Sequence, residues 1–253
     1  MILFIFEGKE REPKLYNTLE RLFFPRKNNN IICSFGNNIY NLYKEMEELD
    51  GGGDIVMVLK EKLADRGDKK LDGMKSSDFS EIYLFFDYDF QNSQLTLDEM
   101  NARVKMMLSL FKEETENGKL YINYPMIESI RYTKELPDEQ YVNYFVNRVQ
   151  CHDFKHLASD FSFYDNLDYI LFRDGEIPTK EKYLTIAENW NYLKEMNVKK
   201  ANFIVCGRCE MPNRKDDINQ LAIFEGQKCK YVDNNETVAV LNSFPIFLYE
   251  YFK

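Results

Sequence analysis

The sequence predicts an α/β fold in which a parallel sheet is flanked by helices, followed by a mainly helical C-terminal half. From residue 2 to about residue 123, apolar runs of strand length alternate with segments whose apolar residues recur at helical spacing. That alternation is typical of parallel sheets covered by helices on both faces. Beyond roughly residue 135 the pattern becomes mainly helical. We expect one α/β domain over residues 1–135. Residues 136–253 would form a region that completes the same core or mediates dimerisation or partner binding.

The first strand is predicted at residues 2–6, a continuous apolar run that suits a strand buried on both faces. A helix follows, with Pro13 near its start, and its apolar residues lie on one stripe: Leu15, Leu19, Leu22 and Phe23. Residues 30–35 then predict a second strand, which Gly36 closes.

A second helix is predicted next, because its apolar residues recur at helical intervals: Ile39, Leu42, Tyr43 and Met46. Residues 54–65 indicate another helix, and residues 66–79 a polar loop. The clearest strand is 82–86, which runs into Asp87-Tyr88-Asp89. A long helix covers residues 97–111, and an Asn117-Gly118 turn leads to a fourth strand at 120–123.

In the second half, we expect helices over 138–148, 151–160, 179–196 and 216–230. The short apolar runs 201–206 and 237–241 are read as strands.

Composition limits the classes of partner. The 253 residues are 44% hydrophobic and carry a net charge of −9. A protein that binds nucleic acid by neutralising many phosphates is usually basic. Any contact of this acidic chain with nucleic acid must therefore be confined to a small region. No stretch approaches the roughly 20 apolar residues of a membrane span. Five scattered cysteines, an odd number, and no basic leader before the first apolar run indicate a cytoplasmic chain with reduced thiols.

Acidic residues follow three of the four predicted strands. Glu7 follows the first, Asp87 and Asp89 the third, and Glu128 comes shortly after the fourth. Carboxyl ends of parallel strands meet at one edge of a sheet, and strand alternation points Asp87 and Asp89 the same way. Bare carboxylates there would repel one another and raise each other's pKa. A hard divalent cation removes that conflict, so we predict a Mg²⁺ (or Mn²⁺) site. Singly, these acids are equally suited to capping helices.

Two motifs resemble a known family. Glu7-Gly8 after the first strand, with Asp87-x-Asp89 after the third, resembles the Toprim domain of topoisomerases, primases and OLD-family nucleases. The segment from Glu7 to Tyr16, with its Glu12-Pro13 pair, resembles the start of RloB-like Toprim proteins. Pro125-x-x-Glu128 is similar to an element that follows their fourth strand. The resemblance covers about residues 1–130. Tyr88 departs from it, since those proteins usually have a basic or other polar residue there.

The resemblance implies a Rossmann-like Toprim sheet and a Mg²⁺-dependent endonuclease that cuts DNA or RNA, tRNA included, in bacterial antiphage defence. Asp87 and Asp89 would ligate the principal ion. Glu7 would be a further ligand or move a proton at the scissile phosphate, and Glu12 and Glu128 would complete a second metal position. Lys9 and Arg11 are candidates for binding the substrate phosphate. A homodimer and an ABC-type ATPase partner are further implications, similar to the Toprim subunit of the PARIS defence system.

Two alternatives remain open. In the first alternative, the chain is a non-enzymatic subunit that binds an ATPase or a nucleotide signal, and its acids serve as helix caps. A zinc site is also conceivable, because Cys and His side chains are the ligands that zinc prefers. Its ligands would come from five residues: Cys151, His152, His156, Cys206 and Cys209. The chain has no phosphate-binding loop of the GxxxxGK[ST] form, so we expect no ATP hydrolysis by the chain alone.

Overall fold

A computed structural model describes residues 1–24, 30–48, 54–162, 167–172 and 177–252. The strands of its main sheet are β1 (Ile2–Phe6), β2 (Asn30–Ser34), β3 (Glu81–Asp87), β4 (Lys112–Glu113) and β5 (Gly118–Asn123). The helices between them are α1 (Arg11–Phe23), α2 (Ile39–Glu48), α3 (Ile55–Ala64) and α4 (Leu97–Leu110). Single 3₁₀ turns occupy Ser76–Asp78 and Ile127–Arg131.

The main sheet has the strand order β2-β1-β3-β5-β4. β1 pairs with β2 and β3 in parallel, and β3 pairs in parallel with β5, so the carboxyl ends of four strands lie at one edge. The α/β class with a mostly parallel sheet and flanking helices is therefore confirmed. β4 is antiparallel to β5 and was not predicted, because two exposed charged residues carry no strand pattern.

The second half contains the helices α5 (Arg148–Cys151), α6 (Phe154–Ser162), α7 (Lys180–Cys206), α8 (Gln220–Gln227), α9 (Asp233–Asn235) and α10 (Ser243–Tyr251). A small antiparallel sheet joins β6 (Phe145–Asn147) to β7 (Thr237–Ala239). Short 3₁₀ turns lie at Tyr141–Asn143 and Lys215–Ile218, and a π-helical turn at Lys228–Val232 links α8 to α9. The mainly helical character of this half is confirmed, and so is the strand expected within 237–241.

Two predictions in this half are wrong. Residues 138–148 do not form a helix, because Val146 pairs with Val238 in the small sheet after a 3₁₀ turn. Residues 201–206 are not a strand but the last turns of α7. Ala201 and Ile204 continue the buried stripe begun by Ile186 and Trp190, which fits helical rather than strand spacing. Gly207 then ends α7 in the left-handed conformation, with φ of 80°.

The two halves of the chain contribute to one hydrophobic core. The ring of Phe244 in α10 stacks on Phe85 of β3 with centroids 4.4 Å apart, and Phe247 meets Phe4 edge-on at 5.9 Å. Tyr124, just after β5, forms a backbone bridge with Leu241. The C-terminal elements thus cover one face of the sheet, while the boundary at residue 135 stays a prediction. Among the helices of the described ranges, none is both long and apolar enough to cross a membrane.

Candidate active site

The first two predicted acids meet at adjacent strand ends. Glu7 follows β1, and its backbone N–H donates to the carbonyl of Phe85 at 3.0 Å, which continues the ladder beyond the strand. The Glu7 carboxylate turns back across this ladder, and its Oε2 accepts the backbone N–H of Asp87 at 2.9 Å. Residues separated by 80 positions in sequence are therefore joined directly at the carboxyl edge of the sheet.

Asp87 is held from the other side by β5. Its side chain is buried, and its Oδ1 accepts a hydrogen bond from Nδ2 of Asn123 at 3.0 Å. Asn123 is the register partner of Asp87 in the parallel pair. The Oδ1 of Asn123 accepts both the N–H and the hydroxyl of Ser243, at 3.0 and 2.8 Å. The start of α10 thus fixes the amide that orients Asp87.

Asp89 reaches the same region by a different route from the one predicted. β3 ends at Asp87, and Asp89 lies beyond it in the left-handed conformation with φ of 49°, which aspartate tolerates better than most residues. Its N–H donates to the carbonyl of Pro125 at 3.2 Å, and its Oδ1 accepts from Gln91 at 2.9 Å. A backbone turn, rather than strand alternation, therefore positions this carboxylate near Glu7.

Glu12 and Glu128 complete the acidic cluster. Glu12 folds back from the first turn of α1, and its Oε1 accepts the N–H of Gly8 at 2.9 Å. A Cβ at residue 8 would lie 2.7 Å from Oε2 of Glu12, so glycine permits this close approach. Glu128 is buried on the 3₁₀ turn after β5, and its Oε1 lies 2.6 Å from Nη1 of Arg11. Both carboxylate oxygens of Glu128 are buried and neither makes a hydrogen bond to any described residue, so the ion pair with Arg11 is the contact recorded for Oε1.

Burial and mutual repulsion disfavour the ionised forms of Glu7, Glu12, Asp87 and Asp89. Burial raises the pKa of Glu7 well above its usual value, and the charges of Asp89, Glu12 and Glu128 raise it further. Burial, followed by the charge of Glu7, likewise raises the pKa of Asp87 well above its usual value. The pKa values of Asp89 and Glu12 are raised chiefly by burial as well. The site therefore concentrates negative charge that its own hydrogen bonds do not neutralise.

Four acids of the cluster, Glu7, Glu12, Asp87 and Glu128, line a cavity of about 400 Å³, which we call the carboxylate cavity; Asp89 is not part of its lining. Its lining consists of Glu7, Gly8, Lys9, Glu10, Arg11, Glu12, Asp87, Ile127, Glu128 and Lys155. Both predicted phosphate-binding residues, Lys9 and Arg11, are among them. Lys155 was not predicted, because one lysine on an amphipathic helix carries no signal of its own. It is brought to the cavity by α6, where Arg131 donates to its carbonyl at 2.7 Å.

The chemistry of this donor set fits a hard divalent cation. Glu7, Asp87, Asp89 and Glu128 offer oxygen ligands only, one of them an orphaned buried atom, and a cation would relieve their repulsion. The carboxylates of Glu7, Asp87 and Asp89 accept hydrogen bonds from internal donors. Within the ranges that the structure describes, no group of three or more His, Cys, Asp or Glu side chains is arranged to hold a metal ion. Binding would therefore require one or more of these side chains to rotate.

The predicted zinc ligands are not brought together in the part of the chain that the structure describes. Cys151 is buried in the core, whereas Cys206 and Cys209 are exposed and all three are free thiols. His156 is also largely exposed, beside Asp153. Across the described part of the chain these residues do not gather into a metal-binding group.

Comparison with known protein families, with curated proteins and with solved structures gave no match to this chain.

Proposed function

We propose that this chain is a divalent-metal-dependent nuclease of Toprim type that hydrolyses a phosphodiester bond in DNA or RNA, as an effector of antiphage defence. One observation carries the proposal. The Glu7 carboxylate is hydrogen-bonded to the backbone of Asp87, 80 positions away, inside a cavity that also holds cationic side chains. Acids with raised pKa values that converge in a cleft are typical of catalytic sites.

The acids have distinct roles in this proposal. Glu7, Asp87, Asp89 and Glu128 would hold Mg²⁺ or Mn²⁺, with Glu12 beside them. When bound, the metal neutralises charge on the scissile phosphate and lowers the pKa of a bound water. Alternatively, Glu7 would not be a ligand and would instead move a proton at the scissile phosphate. Asn123 keeps the Asp87 carboxylate in place through its amide.

The basic residues of the carboxylate cavity would orient the substrate. Lys9, Arg11 and Lys155 line it together with the acids, which supports a role in binding phosphate oxygens. Arg11 is already ion-paired with Glu128, so its guanidinium is held at the rim by a buried partner. Nucleic-acid-binding proteins are usually basic, whereas this chain has an acidic net charge. The local set of cations is compatible with that charge, because contact with one phosphate does not require a basic surface elsewhere.

The proposal is tested with purified protein and labelled single-stranded DNA, duplex DNA, RNA and tRNA. We expect cleavage with Mg²⁺ or Mn²⁺, none with EDTA, and at least a hundredfold loss in Asp87→Asn. Asp72→Asn, on an exposed loop, is the matched control and should cut at the wild-type rate. The assay is repeated with an ABC-type ATPase partner. If no substrate is cut under any of these conditions, the nuclease proposal is wrong.

A second candidate, a non-enzymatic subunit that binds an ATPase or a nucleotide signal, is favoured by a specific observation. Glu7 and Glu12 already accept backbone N–H groups, as structural caps do. Titration calorimetry with Mn²⁺ separates the two candidates. Binding to the wild type that is lost in Asp87→Asn/Asp89→Asn supports the nuclease, whereas no binding to either protein supports the subunit.

A further inference from the structure

Two more cavities adjoin the carboxylate cavity and extend along α1. A cavity of about 490 Å³ shares Arg11 and Glu128 with it. A third, of about 340 Å³, shares Lys14 and Phe172 with the second. Because consecutive cavities share lining residues, the three lie in a row. We call the second and third cavities together the α1 groove.

The cationic wall of the α1 groove comes from one face of a single helix. Arg11, Lys14 and Arg21 are exposed, and their spacing of three and seven residues places them on the same side of α1. The helix rise of about 1.5 Å per residue spreads them over roughly 15 Å. The opposite face of α1, with Tyr16 and Leu19, is buried in the core. The cations are thus presented on a rigid, well-anchored element.

Apolar and aromatic residues line another part of the α1 groove. Leu15, Ile127 and Ile130 are buried and line the second cavity, together with the side chains of Tyr169 and Phe172. Phe172 borders both cavities and is 39% exposed, so part of this residue is accessible to a ligand in the groove. Three acids, Glu10, Glu20 and Glu128, also line the groove; Glu128 is paired with Arg11, and Glu20 accepts a hydrogen bond from Asn30 at 3.0 Å.

We infer that the α1 groove binds single-stranded nucleic acid and leads it into the carboxylate cavity. A row of cationic side chains that can contact successive phosphates, beside an aromatic side chain on which bases stack, is the combination that binds single strands without sequence preference. Cavities of about 340 and 490 Å³ are of the size that admits small organic groups such as an unstacked base. Paired bases of a duplex cannot enter unless they are flipped out.

Arg11 makes the connection between binding and chemistry. It lines both the α1 groove and the carboxylate cavity, so a phosphate bound by Arg11 would lie between the groove and the phosphate that is cut. This inference rests on the proposed function and narrows its substrate to a single strand or an unpaired segment.

The test measures binding in EDTA, where no cleavage can occur. Fluorescence anisotropy is recorded with labelled 12-nucleotide oligo(dT), oligo(rU) and a 12-base-pair duplex. We expect tighter binding of the single strands, and a loss of about tenfold in Phe172→Ala, within the range for removing one base–aromatic stack. Lys14→Ala should reduce the salt dependence of log K by about 0.7, the value for one phosphate contact on a single strand.

The matched controls lie on other elements. Phe145→Ala removes a ring that is 58% exposed on β6, and Lys44→Ala removes an exposed lysine on α2. Both should bind within twofold of the wild type, and circular dichroism confirms that all four variants are folded. The inference is overturned if the wild type binds neither single strand, if it prefers the duplex, or if Phe172→Ala and Lys14→Ala match their controls.

The two proposals fail in different ways. If Asp87→Asn abolishes cleavage while the groove variants bind normally, the nuclease stands and the α1 groove is wrong. If the groove variants lose binding while the wild type cuts nothing with any metal, the groove stands as a binding site and the nuclease is wrong.

Discussion

The Asn123 amide and the Asp87 carboxylate form a buried hydrogen bond of 3.0 Å between neighbouring strands. The other end of the same amide accepts two hydrogen bonds from Ser243, 120 positions further along the chain. Asn123 therefore couples the candidate metal ligand to the C-terminal helix, and a change at this residue should affect both the fold and the site.

We expect Asn123→Ala to destabilise the protein by about 2–4 kcal/mol, because three buried polar groups lose their partner. Urea denaturation measures this change. Asn143→Ala, which removes a side chain on the exposed turn before β6, is the control and should change the unfolding free energy by less than about 0.5 kcal/mol. Equal effects of the two substitutions would show that the Asn123 network does not contribute to stability.

Asp87→Asn should have opposite effects on stability and on metal response. Burial and the charge of Glu7 raise the pKa of Asp87, so the charged form is unfavourable in the metal-free fold. A neutral amide removes that repulsion, and we expect a higher melting temperature at pH 8 in EDTA. Millimolar Mn²⁺ should raise the melting temperature of the wild type and leave Asp87→Asn unchanged. A wild type that is equally stable with and without Mn²⁺ contradicts a metal site at Asp87.

Stability should fall with rising pH as Asp87 and Glu7 titrate. Their pKa values in the folded protein are raised above the unfolded values of about 3.9 and 4.3. Above those unfolded values the native state binds more protons than the unfolded chain, so the free energy of unfolding decreases until pH passes the folded pKa values. Denaturation at several pH values from 4 to 9 measures the slope, and the difference between wild type and Asp87→Asn gives the contribution of Asp87 together with its coupling to Glu7. A difference that does not vary with pH contradicts a raised pKa.

Arg11→Ala should leave the Glu128 carboxylate buried without its cation. Because Arg11 is itself about half exposed, at 48%, we expect a modest loss of about 1–2 kcal/mol rather than the full cost of a buried pair. Adding Glu128→Gln should recover most of that loss, since the neutral amide needs no counter-charge. A double-mutant cycle by urea denaturation checks this. The exposed Arg214–Asp217 pair is the control, where Arg214→Ala should cost less than about 1 kcal/mol.

The apolar strands were predictable from sequence because their residues are buried on both faces. β1 and β3 consist of nearly continuous apolar runs, and every residue of β1 is buried. The acids that follow these strands could be placed at one edge of the sheet, because the carboxyl ends of parallel strands lie at the same edge. Glu7 and Asp87 therefore meet as predicted, and their direct hydrogen bond lies well within the distance over which two acids can share a cation.

Other parts of the site were not predictable, because tertiary contacts decide them. Asp89 depends on a left-handed turn, and Lys155 on the packing of α6 near the 3₁₀ turn after β5. Asn123 carries only a weak sequence signal for a role in the site, because it is a polar residue at the end of an apolar strand. In the second half, the apolar run 201–206 fits a strand in isolation, and only its continuity with the stripe of α7 distinguishes the two structures.

The stacking of Phe244 on Phe85, together with the Ser243–Asn123 bonds, has a consequence for synthesis on the ribosome. All the acidic residues of the site are translated before residue 129, yet the amide that orients Asp87 is secured only after Ser243 has left the exit tunnel. A nascent chain would therefore carry these acidic residues for more than a hundred codons without the contact that aligns Asp87.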